Sequence, residues 1–156
     1  MLIATPKSVW SQHYQVTSAT GEPIAELDLS MLKEGARLHY QGKVYRIERE
    51  SLMRGPWLLL DGDTPVFEAN KPSLMRNRFL VMVKGASLEL APKTWMMRRF
   101  GVVGPDWVDL GEIRRPSWFR RKVEIDLSDL VPEQAQLFLL FLAVVIWRRA
   151  DVAAAS

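Results

Sequence analysis

Between residues 2 and 130 apolar and polar positions alternate in short runs. Ala25, Leu27 and Leu29 are separated by Glu26 and Asp28, and Val123, Ile125 and Leu127 by Glu124 and Asp126. Tyr45 and Ile47 flank Arg46, and Leu88 and Leu90 flank Glu89. A period of two places successive side chains on opposite faces, so each run predicts a strand with one buried face. Turn chemistry separates the runs at Gly21-Glu22-Pro23, Gln41-Gly42-Lys43, Asp61-Gly62-Asp63, Lys84-Gly85-Ala86 and Gly104-Pro105-Asp106. Glycine supplies positive φ and proline fixes φ, which is what tight hairpins need. The runs between turns predict about ten to twelve strands in an antiparallel meander.

The alternation then stops. Leu137 to Trp147 reads LFLLFLAVVIW, apolar at every position, and predicts a helix over about 132–149. Pro132 suits its first position, Glu133 its positive end, and Arg148 and Arg149 its negative end. Residues 151–156 are expected to fray. A helix apolar on every face is buried on every face, in protein or in lipid. A membrane span takes about 20 apolar residues, whereas these eleven cover only about 16 Å. A barrel wider than eight strands, by contrast, has room for something inside, and a helix within an eleven-stranded barrel is a known solution. The expected fold is therefore all-β: a closed antiparallel barrel of about 10–12 strands around a buried hydrophobic C-terminal helix, with residues 1–150 as one domain. A C-terminal membrane anchor and a helix packed on an open sheet are the alternatives.

Two stretches repeat. Gly21-Glu-Pro-Ile-Ala-Glu is similar to Gly62-Asp-Thr-Pro-Val-Phe-Glu, and Gln41-Gly-Lys-Val-Tyr-Arg-Ile to Lys84-Gly-Ala-Ser-Leu-Glu-Leu, at offsets of 41 and 43 residues. Such nearly equal offsets suggest a duplicated strand unit. With Leu110-Gly-Glu-Ile113, Val123-Glu-Ile-Asp126 and the terminal LFLLFLAVVIW, the segments Gly42–Ile47 and Lys84–Leu90 resemble the tubby C-terminal-like superfamily. That superfamily includes the LURP-one-related proteins and the phospholipid scramblases. The resemblance covers nearly the whole chain through diffuse strand patterns. It implies a closed barrel around a hydrophobic C-terminal helix and a binding role at membrane lipid. The chain lacks the cysteine cluster of scramblases and a dense acidic loop for calcium, and no phosphoinositide-binding position of tubby proteins is carried over.

Composition narrows the chemistry. The 156 residues are 48% apolar and 25% charged, ordinary for a globular chain. Absence of cysteine removes disulfides, thiolate zinc sites and cysteine nucleophiles, and fits a reducing compartment. The opening MLIATPKSVW has no basic segment leading into an apolar one, so no secretory signal is expected. His13 and His39 fall in strand-like runs without metal-ligand spacing. No serine sits in a GxSxG elbow, and no phosphate-binding glycine loop occurs. The pairs Asp61/Asp63 and Asp126/Asp129 read as turn and helix-entry residues. No enzymatic activity, metal or cofactor is expected.

Charge supplies the one functional signal. The net charge is +3. Residues 1–70 hold seven basic and nine acidic residues, and residues 71–156 hold fourteen and nine. Within the second half, Arg114, Arg115, Arg120, Arg121 and Lys122 surround Trp118 and Phe119. Aromatic rings favour the lipid interface, and each nearby cation gains about 1 kcal/mol from an anionic leaflet. Trp95-Met-Met-Arg-Arg-Phe100 has the same character. The expected function is a cytoplasmic binding module, peripheral at the membrane, that meets anionic lipid head groups through residues 114–122. A protein–protein interaction module is the alternative. Nine acidic residues in the same half argue against an extended nucleic-acid track.

Overall fold

The computed structural model of the chain describes residues 1–8, 11–30, 34–51, 55–72, 76–117 and 121–156. Within them the alternating runs form twelve strands: β1 (Leu2–Pro6), β2 (His13–Ser18), β3 (Pro23–Leu29), β4 (Ala36–Tyr40), β5 (Lys43–Arg49), β6 (Trp57–Asp61), β7 (Thr64–Asn70), β8 (Phe79–Val83), β9 (Ala86–Pro92), β10 (Arg99–Val103), β11 (Asp109–Arg114) and β12 (Val123–Leu127). One helix follows, α1 (Glu133–Ala155). Each strand pairs antiparallel with its chain neighbours, and β1 closes the ring on β12 through Leu2↔Ile125, Ile3↔Glu124 and Ala4↔Val123. Among the described strands closure leaves no edge unpaired, which removes the usual template for aggregation.

The period of two sorts the wall. Ala4, Val16, Leu27, Leu38, Ile47, Leu59, Ile113 and Ile125 are fully buried and belong to one apolar cluster. Ala135 to Trp147 of α1 are buried and belong to the same cluster. Phe138 stacks on Phe67 with ring centroids 6.2 Å apart, and Trp147 meets Phe100 edge-on at 5.5 Å. The buried polar residue of this segment, Gln136, donates from Nε2 to the Val131 carbonyl at 3.0 Å. No helix among the described residues is long and apolar enough to cross a membrane.

Two sequence expectations change. The helix ends at Ala155 rather than at 149, so Asp151 to Ala155, expected to fray, are helical and exposed. Alanine has the highest helix propensity, and Asp151 is held by Arg115 at 3.0 Å. The repeat, expected in two copies, extends further. Register shifts fall between Val16 and Thr17, Leu59 and Leu60, and Val102 and Val103, 43 residues apart each time. Buried Tyr14, Trp57 and Phe100 share that spacing. The wall therefore reads as three four-strand units, β2–β5, β6–β9 and β10–β12, the third completed by β1. The Gln41-Gly42 and Lys84-Gly85 turns have the same left-handed geometry, with φ of 50° and 74° against 49° and 78°.

Candidate anion-binding end of the barrel

In an up-and-down barrel alternate connections emerge at the same end. The connections over 7–12, 30–35, 50–56, 71–78, 93–98 and 115–122 share one end; those over 19–22, 41–42, 62–63, 84–85, 104–108 and 128–132 share the other. The C-terminal part of α1 lies at the first end. There Arg148 donates to the Ser30 carbonyl at 3.2 Å, Arg149 pairs with Glu34 at 2.6 Å, and Trp147 Nε1 donates to the Met97 carbonyl at 2.6 Å. The start of α1 lies at the second end, where the Tyr40 hydroxyl donates to Glu133 at 2.9 Å.

The two ends differ sharply in charge. Among the described residues, the long connections and the helix beyond Trp147 carry eleven Lys and Arg against Glu34, Glu50 and Asp151. The short connections and Glu133 carry five acidic residues against Lys84. The strands carry six basic and ten acidic residues, and three of the connection cations pair with strand carboxylates: Lys7 with Glu26, Arg78 with Glu89 and Lys93 with Glu112.

The three buried aromatics of the repeat underlie the basic end. The Arg49 guanidinium lies 4.2 Å and that of Arg149 5.6 Å from the Trp57 ring centroid; Arg121 lies 6.0 Å from that of Tyr14. Phe100 supports Trp147, over which Arg115 sits at 5.4 Å. Around Trp57 the cations crowd. Burial first, and then Arg149 and Arg49, push the Lys71 ammonium below its ordinary pKa, with Glu34 opposing. Burial and then Arg149 lower Arg49 in the same way. Trp57 Nε1, fully buried here, has no hydrogen-bond partner among the described residues. Among the described residues, the carboxylate that faces these three cations is that of Glu34.

The expected 114–122 segment divides. Arg114 belongs to the outer wall, bonded to Glu124 at 2.9 Å and to Glu112 at 3.3 Å, with Asp126 at 3.5 Å. Arg115 pairs with Asp151, and Arg121 donates to the carbonyls of Ser8 and Ser11. Lys122 is exposed. Trp118, Phe119 and Arg120 lie outside the described residues. An exposed aromatic described at this end is Trp95, 90% exposed beside half-exposed Met96. Arg49, Lys71 and Arg149 were missed because they come from three distant parts of the chain. Arg149 had a signal, but it read as a complement to the helix dipole.

The remaining candidates have wall roles. His13 lies 3.2 Å from Glu26, and His39 is exposed. Asp61 pairs with Lys43 and Asp63 with Arg46. Among the described residues no three His, Asp or Glu converge on a metal position. Glu112 is the centre of the wall network, and hydrogen bonding from Arg99 first, opposed by burial and aided by Lys93, holds its carboxyl below 4.5. A carboxyl depressed in the folded state stabilises it above the unfolded pKa and loses that contribution as pH falls through the folded value. Glu112→Gln is therefore expected to lower stability at neutral pH and to flatten the loss below about pH 4.5, as urea titrations at several pH values would show.

Comparison with protein-family models, curated proteins and solved structures finds no match to this chain.

Proposed function

We propose that this chain is a non-enzymatic, cytoplasmic binding module, its barrel filled by its own C-terminal helix, whose basic end meets anionic phospholipid head groups. The observation that carries the reading is the sorting of charge, eleven basic against three acidic described residues at one end of a protein of net charge +3. Arg49, Lys71 and Arg149 supply donors for a phosphate, while exposed Trp95 supplies a ring for the interface. Lys122 and two other sequence-expected cations, Arg115 and Arg121, belong to the adjoining connection, and Arg120 lies outside the described residues. The resemblance to the tubby C-terminal-like superfamily, with its lipid-facing members, points the same way.

Co-sedimentation with vesicles of phosphatidylcholine, with and without phosphatidylserine, tests the reading. Pelleting is expected only with the anionic vesicles and should fall as salt screens the contact. Lys71→Gln combined with Lys122→Gln removes two cations worth about 1 kcal/mol each, so affinity should drop roughly thirtyfold. Equal pelleting with neutral vesicles would refute the proposal.

A further inference from the structure

The acidic end carries exposed apolar side chains of its own. Trp107 and Leu130 are each 80% exposed, and Val108 is also exposed. They occupy neighbouring connections, joined where Ser128 N–H donates to the Leu110 carbonyl at 2.8 Å. Exposed Asp106 and Asp129 flank them. The backbone holding Trp107 outward is unusual, with φ of 58° at Asp106 and 61° at Trp107. Left-handed backbone is uncommon for a bulky residue and costs on the order of 1–3 kcal/mol where it occurs. Among the described residues no hydrogen bond or ring contact engages that outward indole, which is 80% exposed.

We propose that this acidic end docks onto the basic end of a second copy, so that the protein assembles head to tail. Complementarity argues for that occupant. The acidic, Trp107-bearing surface needs a basic partner with apolar anchors, and the opposite end of this same chain is one. It presents eleven cations among its described residues, with Trp95 and Met96 exposed. It also holds the Arg49–Lys71–Arg149 cluster, faced by Glu34, into which a carboxylate of Asp106 or Asp129 would bring a second negative charge. A contact between unlike ends is heterologous and does not close on itself, so assembly adds copies in a line. The inference shares the basic end with the lipid reading but does not require lipid.

Sedimentation velocity of the full chain at rising concentration, in about 20 mM and about 500 mM salt, reads the outcome. The mean mass should climb with concentration at low salt and return to the monomer at high salt. Two variants sharpen it: Asp106→Asn/Trp107→Ser/Asp129→Asn at the acidic end, and Lys71→Gln/Trp95→Ser at the basic end. Each alone should be monomeric, whereas their equimolar mixture should form dimers and nothing larger, because one intact end of each kind remains. Leu130→Ser replaces the turn variant if that variant fails to fold. The acidic-end variant should keep wild-type binding to anionic vesicles, which separates this inference from the lipid reading. A wild type that stays monomeric at low salt, a mixture that stays monomeric, or variants that still assemble alone would each overturn it.

Discussion

Ending the chain at Asp129 is expected to leave a product with no cooperative unfolding transition. The cut removes all of α1 and with it thirteen consecutive buried residues, Ala135 to Trp147. Fully burying one large apolar side chain contributes about 1.5–3 kcal/mol. Phe138, Leu139, Leu140, Phe141 and Leu142 have no exposure at all, so these five alone match the roughly 5–15 kcal/mol of net stability of a typical domain. The strands would also lose the contacts of Phe67 with Phe138 and of Phe100 with Trp147. Thermal and urea unfolding followed by circular dichroism, with a dye that binds exposed apolar surface, provides the check. A 1–129 fragment with a sharp transition would mean that the barrel closes without the helix. The milder Phe141→Ala should retain the fold and cost about 3–5 kcal/mol, since it opens a cavity that close packing cannot easily fill.

The wall was legible because one face of each strand is apolar. Ala25-Glu-Leu-Asp-Leu29 states in five residues which side chains turn inward. The helix was legible for the opposite reason, since Leu137 to Trp147 has no polar face to present to water. Its end was not, because Asp-Val-Ala-Ala-Ala carries no stop signal and Arg148 and Arg149 look like one. The basic end was hidden by connectivity. The second half of the sequence is the more basic, but a chain that runs along the barrel twelve times sorts charge by alternate connections instead. Arg114 and Arg115 are adjacent in sequence, yet one joins the Glu112 network on the wall and the other pairs with Asp151. Arg49, Lys71 and Arg149 come together only because β5, the connection after β7 and the end of α1 share one end, and no local window of sequence contains them.

Gly111→Ala is the single substitution expected to do the most damage to the wall. Gly111 follows Leu110, the extra residue of the bulge where pairing passes from Val102↔Gly111 to Val103↔Asp109. Its φ is +113°, a conformation that side chains rarely adopt, and its N–H is fixed by the Asp109 carboxylate at 2.9 Å. A Cβ there would overlap the Asp126 carbonyl oxygen and crowd Leu127 Cα, both backbone atoms of the paired strand β12. Backbone in a closed ring cannot step aside without breaking the β11–β12 ladder. Gly62→Ala is the matched control: its φ is +62°, but nothing lies within 4 Å of the added methyl. The control gives the penalty of an ordinary left-handed residue, about 1 kcal/mol, whereas Gly111→Ala adds both a less accessible φ and a clash, which should bring the loss above about 4 kcal/mol. Urea midpoints of the two variants, read against the wild type at constant slope, measure the difference. If Gly111→Ala proves no worse than Gly62→Ala, β11 and β12 do not approach each other as closely as the register requires.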